Sequence, residues 1–484
     1  GLDMPSAMKS AFHHYAELFL AMDDPYLRAR HEDIRHLGNR LYGTWSGSRN
    51  NGRQELPDGP LVLVGGEVSV SDIAAVPRER LAAIACVRGS ALSHTAVLAN
   101  ALGIPSVMGL GEVRGLRDGE SVLVDGDTGR VFPDPDPALL ATYRENAANE
   151  EALQGRLQEL RNEPALTRDG ERVLLYANSG LLSDISPGLV SGAEGLGLYR
   201  TEIPFMLGDT FPSEEEQFEI YRQVCEAYRD KPVHMRILDI GGDKPLPYFP
   251  LVEENPALGW RGIRFCLDNA SLLMTQVRAM LRAGAGTGNL RVLLPMVSST
   301  GELQRFHALL DDALAQLAAE DIVVNRPEVG IMVEVPAAIS QLAQWRGYID
   351  FVSIGSNDLG QYLVAADRNN PRVSEVCDRL HPAVLREIER IIVTARELNL
   401  PASLCGEMSS DPAAVVLLLG MGLRCMSLSA ARLPMIKWLV RAARADDAAA
   451  LWASAKTLPD AAGIRHTTAE YLAGLNLAGL PFET

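Results

Sequence analysis

Apolar runs five or six residues long, each followed by a longer mixed stretch with helical spacing, recur from residue 164 onward. The runs fall at Val173–Ala177, Gly195–Tyr199, Val233–Leu238, Val292–Met296, Gly330–Val335, Asp350–Ile354, Pro401–Cys405 and Arg424–Leu428. Continuous apolar runs of this length read as strands buried on both faces, which is the habit of parallel sheets. Eight strand–helix units over this length predict an α/β fold, a (β/α)₈ barrel of the TIM type over residues 164–484. An open doubly wound sheet is the alternative that the pattern leaves standing. The units are unevenly spaced, and the stretch 239–290 is long enough to carry extra structure.

The front of the chain has a different rhythm. Residues 8–22 and 25–42 read as two helices. Asp24 can cap the second, Pro25 suits its first position, and Leu27, Ile34, Leu37 and Leu41 recur along one face. Residues 46–59 form a polar loop. Between 60 and 133 the short runs LVLVGG, AAIACV and SVLVDGD surround a helix that starts near His94, a pattern for a small α/β domain. A charged helix over 137–162 follows as a connector. The expected division is therefore 1–45, 46–136, 137–163 and 164–484.

A barrel places its chemistry at the C-terminal ends of its strands. In this chain those ends carry Arg200, Thr201 and Glu202, then Arg236 and Asp239, then Glu334, then Ser356, Asn357 and Asp358, then Cys405, Gly406 and Glu407. Arg200, Arg236 and the loop residue Arg368 suit phosphate or carboxylate, because guanidinium groups are planar and always charged. Each taken singly is more readily an ordinary surface ion pair; together, in an acidic chain, they favour an anionic substrate. Glu334 and Asp358 are hard oxygen donors that suit Mg²⁺ better than zinc, or else are plain strand-end acids. A thiol such as Cys405 at a barrel mouth can donate a proton; a buried structural cysteine is the commoner fate. In GSALSHTAVLANALGIP, Ser93 can cap a helix that Gly103 and Pro105 stop, so His94 lies in its first turn. That end stabilises an anion, although by position alone an ordinary surface histidine is the commoner case.

Charge sharpens the picture. The 484 residues carry 62 acidic and 45 basic side chains, a formal net charge of −17. This balance argues against a nucleic-acid binder or a binder of anionic membranes. An anionic substrate would need placed arginines to reverse the field locally. The six cysteines show no metal or disulfide spacing and fit a reducing compartment, the cytoplasm. The longest apolar run, Ala413 to Leu423, is too short to span a bilayer, and no signal peptide is visible.

With those residues in view, the chain resembles Enzyme I of the bacterial phosphotransferase system, the phosphoenolpyruvate–protein phosphotransferases. GSALSHTAVLANALGIPSVMG resembles that family's phosphohistidine motif. GLGLYRTEIPFM, RILDIGGDKPLPYF, NPALGWRGIR, GIMVEVPAA, DFVSIGSNDLGQY, AADRNN and LCGEMSSDP resemble its barrel motifs in order. The alanine-rich SALSHTAVLANALG form is most similar to the nitrogen-related branch rather than the sugar-transport branch. The resemblance implies that His94 takes the phosphoryl group of phosphoenolpyruvate. It implies that Arg200, Arg236, Asn357, Asp358 and Arg368 hold the substrate, that Glu334 and Asp358 bind Mg²⁺, and that Cys405 protonates the enolate to give pyruvate. An HPr-like phosphocarrier as acceptor and a homodimer through the barrel are further implications. Arg261 and Lys244 lie in matching motifs without an assigned role.

Departures are small at the site: GSNDL stands for GTNDL and EVP for ETP. The family's phosphohistidine domain begins before its helical carrier-binding subdomain, and that first portion, like the branch's GAF sensor domain, is not found in this sequence. The expectation is normal substrate binding and weak transfer to the carrier. Phosphoenolpyruvate synthase and the dikinase share the histidine domain and barrel but need an ATP-binding domain, for which no Gly-rich segment is seen. A sensor that binds phosphoenolpyruvate without turnover would be expected to lack a ligand, and none of the matched ligands is missing.

Overall fold

A computed structural model describes residues 11, 12, 15, 59–66, 68, 72, 73, 76, 77, 80–87, 96, 99, 104–111, 116–126, 128–208, 210–241, 244, 246, 248, 249, 253–368, 370 and 372–475. The helices expected over 8–22 and 25–42 lie outside these, apart from residues 11, 12 and 15, which are helical. So do nearly all of the 46–59 loop and His94 itself. The chain divides into two compact units, residues 1–146 and 147–484.

In the first unit, β1 (Leu61–Gly65), β2 (Leu81–Cys86) and β3 (Ser106–Met108) form a parallel sheet in that order. β4 (Val122–Asp125) and β5 (Arg130–Pro133) form an antiparallel hairpin. β1, β2 and β4 occupy the expected runs. β3 and β5 are additions, each too short to show a period of its own. Ile84 from the central strand packs with Ala99 and Ile104, all buried. Ala96 and Ala99 are helical, on one face of the helix expected from 94. The hairpin turn is tied by Asp125, which accepts hydrogen bonds from the Thr128 amide (3.0 Å) and from the Tyr143 hydroxyl (2.7 Å).

Tyr143 belongs to α1 (Pro137–Glu159), whose start follows from Asp136–Pro137: the carboxylate accepts the Ala138 amide at 2.6 Å, and proline costs nothing at a first helical position. α1 runs on into a turn at Leu160–Asn162. Its far end and the residues after it belong to the second unit and are held within it. The buried Lys437 ammonium donates to the Arg161 carbonyl at 2.6 Å, and Arg441 donates to the Pro164 carbonyl at 2.6 Å. Gly192 lies so close that a Cβ there would sit 1.9 Å from the Arg161 oxygen.

The second unit is a barrel of eight strands: β6 (Leu174–Ser179), β7 (Leu196–Arg200), β8 (Val233–Arg236), β9 (Leu290–Leu294), β10 (Glu328–Val333), β11 (Phe351–Ile354), β12 (Ala402–Leu404) and β13 (Cys425–Ser429). All neighbours are parallel. β13 pairs with β6 from Cys425↔Leu174 to Ser429↔Asn178, and this ladder closes the barrel and removes the open-sheet alternative. Every strand overlaps its expected run. The long stretch after β8 holds two isolated β-bridges, a turn at Pro256–Leu258, a short helix at Ile263–Asp268, and a longer one, α2, at Ala270–Gly284.

Period-two alternation separates two layers. Val233 and Met235 of β8 join the large core under the helices, whereas Leu198, Leu293, Met332, Phe351 and Cys405 cluster separately inside the barrel. His234, on the inner face of β8, meets the Phe351 ring edge-on at 4.9 Å. Its Nδ1 lies 2.9 Å from the Leu196 carbonyl, and burial lowers its pKa to about 4, so it packs as a neutral ring. Phe351 fits because β10 offers Gly330 beside it: a Cβ there would lie 2.4 Å from the ring.

That approach fixes the first prediction. Gly330→Ala overpacks the barrel interior and lowers stability by about 1–3 kcal/mol. Adding Phe351→Leu returns part of the loss. The midpoint of the barrel's urea transition in the single and double variants measures both; an unchanged midpoint in Gly330→Ala contradicts the packing described.

Candidate active site

Four carboxylates are buried at the C-terminal mouth of the barrel: Glu202 just after β7, Asp239 after β8, Glu334 after β10 and Asp358 after β11. Four such groups could not remain charged without cations beside them. Arg236, the last residue of β8, reaches Glu202 through Nη2 and Asp239 through Nη1 at 3.1 Å. Lys244 meets Asp239 at 2.5 Å and Glu202 at 3.6 Å. Arg261, with no exposed surface, spans Asp239 (3.1 Å) and Asp358 (3.4 Å). Arg368 closes the chain on Asp358 at 3.6 Å. Seven of these eight groups form one continuous ionic layer, and Glu334 lies beside it without an ion pair among the described residues.

Asp239 is its centre. Burial alone would raise its pKa, but Arg236, Lys244 and Arg261 outweigh burial and hold the carboxyl well below the usual carboxylate range. The same pairing holds the guanidinium groups of Arg236 and Arg261 above their ordinary value despite burial.

Glu334 is treated differently. Burial comes first, then the nearby charges of Asp358 and Asp239; together they push its pKa up to about 8, against the pull of Arg261 and Arg236. Its Oε1 accepts the Met296 amide at 2.7 Å. Met296 has φ of 60°, a left-handed conformation that costs an unbranched residue on the order of 1–3 kcal/mol and turns its N–H onto Glu334. The second oxygen, Oε2, is buried without a hydrogen-bond partner. A buried oxygen in that state is a place for an ordered water or a cation. The described residues hold no group of three or more His, Cys, Asp or Glu side chains arranged for a metal. Two hard oxygen donors with the remaining positions open to water or substrate fit Mg²⁺.

The other candidates line the same mouth. Arg200 ends β7, is exposed, and forms no ion pair among the described residues. Cys405 follows β12; it is buried, and its thiol points to the Ile354 carbonyl at 3.6 Å. Burial raises its pKa, with the Ser353 hydroxyl and Arg236 pulling it partly back, so the sulfur carries its proton at neutral pH. Asn357 accepts the Glu407 amide at 3.3 Å through Oδ1, which leaves its amide nitrogen as the group it can offer a ligand. Arg368 stands in the loop after the helix Ser356–Val364, where Ala365 reverses the chain at φ of 54°. Arg200, Arg236, Glu334, Asn357, Asp358, Arg368 and Cys405 thus share one face of one barrel, while His94 lies outside the described residues. Glu202, Asp239, Lys244 and Arg261 prove to be the partners that hold this layer together. The sequence displayed them at strand ends and in motifs but gave no sign of which would pair.

Two measurements test the ionic layer. Asp239→Asn leaves three cations short of a partner and lowers barrel stability by about 3–5 kcal/mol by chemical denaturation; a loss below about 1 kcal/mol, the range of an exposed pair, would show that the cluster is solvated. Glu334 has a folded pKa above its unfolded value, so its contribution favours folding below the unfolded pKa and is lost as pH rises through about 8. In metal-free buffer the native chain therefore weakens between pH 5 and pH 8.5 relative to Glu334→Gln, whose amide does not titrate; parallel melting curves for the two would overturn this. The comparison pH values of roughly 5 and 8.5 bracket that window.

Comparison with known proteins accords with this geometry. Residues 154–445 match the family model for the PEP-binding domain of PEP-utilising enzymes, and residues 57–129 match the model for their mobile domain. A relative from Salmonella typhimurium, named phosphoenolpyruvate-dependent phosphotransferase system, is 41% identical over 98% of this chain, and one of the same name from Escherichia coli is 40% identical over 98%. The chain spans 63% of the length of each. The phosphoenolpyruvate-protein phosphotransferase of Haloferax volcanii is 39% identical over 90% of this chain and 76% of its own length. A domain match over most of the barrel, together with this identity to relatives of one name, shows that the chain belongs to the PEP-utilising enzyme family, as a member of the Enzyme I-type phosphoenolpyruvate–protein phosphotransferases.

Proposed function

We propose that this chain transfers the phosphoryl group of phosphoenolpyruvate to His94, with Mg²⁺ bound at Glu334 and Asp358, and releases pyruvate. The observation that carries the reading is the buried ionic layer at the barrel mouth, with the unpartnered Glu334 Oε2 beside it. Bound there, Mg²⁺ would supply charge neutralisation for the phosphate oxygens. Arg200 is the exposed cation available to an incoming anion. Arg236 and Arg368 are already aimed at the site by their carboxylate partners and can share hydrogen bonds with a second acceptor.

The bonds balance as follows. The bond between phosphorus and the enol oxygen breaks, and a bond from phosphorus to an imidazole nitrogen of His94 forms. The leaving enolate takes the Cys405 proton on its methylene carbon, which gives pyruvate. Cys405 suits that task because burial keeps it protonated until a stronger base stands beside it. Phosphoryl transfer asks little covalent work of the protein beyond such positioning and charge. His94 sits in the unit of residues 1–146 and the ionic layer in the other, so the histidine is loaded in one place and unloaded in another. The acceptor that follows is the histidine of an HPr-like carrier, the setting is the nitrogen-related regulatory branch in the cytoplasm, and the barrel pairs as a homodimer. No described helix is long and apolar enough to cross a membrane. The alternatives are the sugar-transport branch and a sensor without turnover.

Incubation with phosphoenolpyruvate and Mg²⁺ should add one phosphoryl mass, mapped to His94 under mild alkali. His94→Ala takes no label. Glu334→Gln loses metal-dependent labelling, and Cys405→Ser binds phosphoenolpyruvate yet does not place solvent deuterium in the pyruvate methyl group at the normal rate. Label on another of the nine histidines, or full labelling of His94→Ala, would refute the assignment.

A further inference from the structure

The hydrogen-bonded ladder between β7 and β8 ends at Arg200↔Arg236. The groups that make the ionic layer lie just beyond it: Glu202 past the end of β7, and Asp239 past the end of β8. Backbone pairing therefore does not set the spacing of these two carboxylates. A side chain from outside the barrel takes over there. Gln276 lies on α2, is buried, and accepts the Leu238 amide through Oε1 at 2.8 Å. Its Nε2 donates to the Thr201 hydroxyl at 3.1 Å and to the Tyr221 hydroxyl at 3.2 Å. Thr201 in turn donates to the Arg236 carbonyl at 2.7 Å.

The proton arrangement has one solution. A backbone N–H can only donate, so Oε1 faces Leu238 and the amide nitrogen faces the hydroxyls. Thr201 then accepts from Gln276 and spends its own proton on Arg236. Tyr221 accepts from Gln276 and donates to Gln217 at 3.1 Å. A buried network satisfied in only one way is stiff. It joins Thr201, between Arg200 and Glu202, to Arg236 and Leu238, which precede Asp239.

We infer that Gln276 is a positioning residue for this reaction: its side-chain amide continues the β7–β8 ladder past its last backbone pair and sets the distance across which Arg236 bridges Glu202 and Asp239. The inference rests on the function proposed above for its kinetic consequence, and on geometry alone for its structural one.

The test compares Gln276→Met, which keeps length and removes both polar ends, with Asn289→Ala. Asn289 is also partly buried, and donates to the Cys225 (3.0 Å), Tyr228 (2.7 Å) and Lys231 (3.1 Å) carbonyls just before β9, at the other end of the barrel. Gln276→Met should raise amide exchange in the peptides covering 196–203 and 233–241 and lower kcat/KM for His94 labelling roughly 10- to 100-fold. Asn289→Ala should weaken the fold while both readouts stay near wild type. If Gln276→Met fails to fold, Thr201→Val cuts the same link and is expected to give the same pair of changes. Unchanged exchange and kinetics in the Gln276 or Thr201 variant overturn the inference, as does an equal kinetic loss in Asn289→Ala. A wild-type chain that takes no label refutes the proposed function instead, and the exchange comparison then decides the role of Gln276 by itself.

Discussion

The requirement that governs the barrel mouth is local electroneutrality around carboxylates that are themselves buried. Moving an isolated carboxylate out of water costs several kcal/mol even after relaxation. Asp239 is accommodated by drawing three cations from different parts of the chain: Arg236 from β8, Lys244 from the following loop and Arg261 from just before the short helix at 263. Each cation then needs a further acid, which brings Glu202 and Asp358 into the layer. The strand ends are thereby cross-linked electrostatically, and the substrate groups inherit fixed directions. Glu334 is left as the acid that no described cation touches, and it is held instead by the Met296 amide with its pKa pushed up to about 8.

The same economy appears in the packing beneath. A barrel interior must be filled, and here Phe351, His234, Met332 and Leu198 fill it. His234 is tolerated because burial keeps it neutral and the Leu196 carbonyl meets its ring nitrogen. Gly330 makes the space for Phe351. The floor of the site is thus rigid by packing, and its walls are rigid by charge.

Much of this was legible in the sequence, because parallel strands buried on both faces leave unbroken apolar runs, and because polar residues at the ends of such runs stand out against them. All eight barrel strands and the seven mouth residues Arg200, Arg236, Glu334, Asn357, Asp358, Arg368 and Cys405 were read that way. What escaped has physical reasons. β3 and β5 are three and four residues long and display no period. Among Glu202, Asp239, Lys244 and Arg261, the Lys244–Asp239 pair is local, but Lys244–Glu202 and Arg261–Asp239 join positions far apart in the chain, and no local pattern encodes them. Gln276 did leave a trace: it sits within the apolar stripe of Leu273, Val277 and Met280 on α2, where a polar side chain needs a buried partner. The boundaries of the strands shifted by a few residues because apolar character continues past the last ladder bond, as at Ile237 and Leu238.

The attachment of the connecting helix bears on how such a chain can diverge over time. Lys437 and Arg441 hold the carbonyl oxygens of Arg161 and Pro164, and every amino acid supplies a carbonyl. The grip therefore does not read the side chains of residues 160–164, which are free to drift without loosening it. The burden of invariance moves to the gripping side. Lysine and arginine must persist at 437 and 441, and position 192 must remain glycine, since even one methyl group there would collide with the Arg161 oxygen. Variation among relatives should accordingly be tolerated on the helix side of this joint and purged on the barrel side.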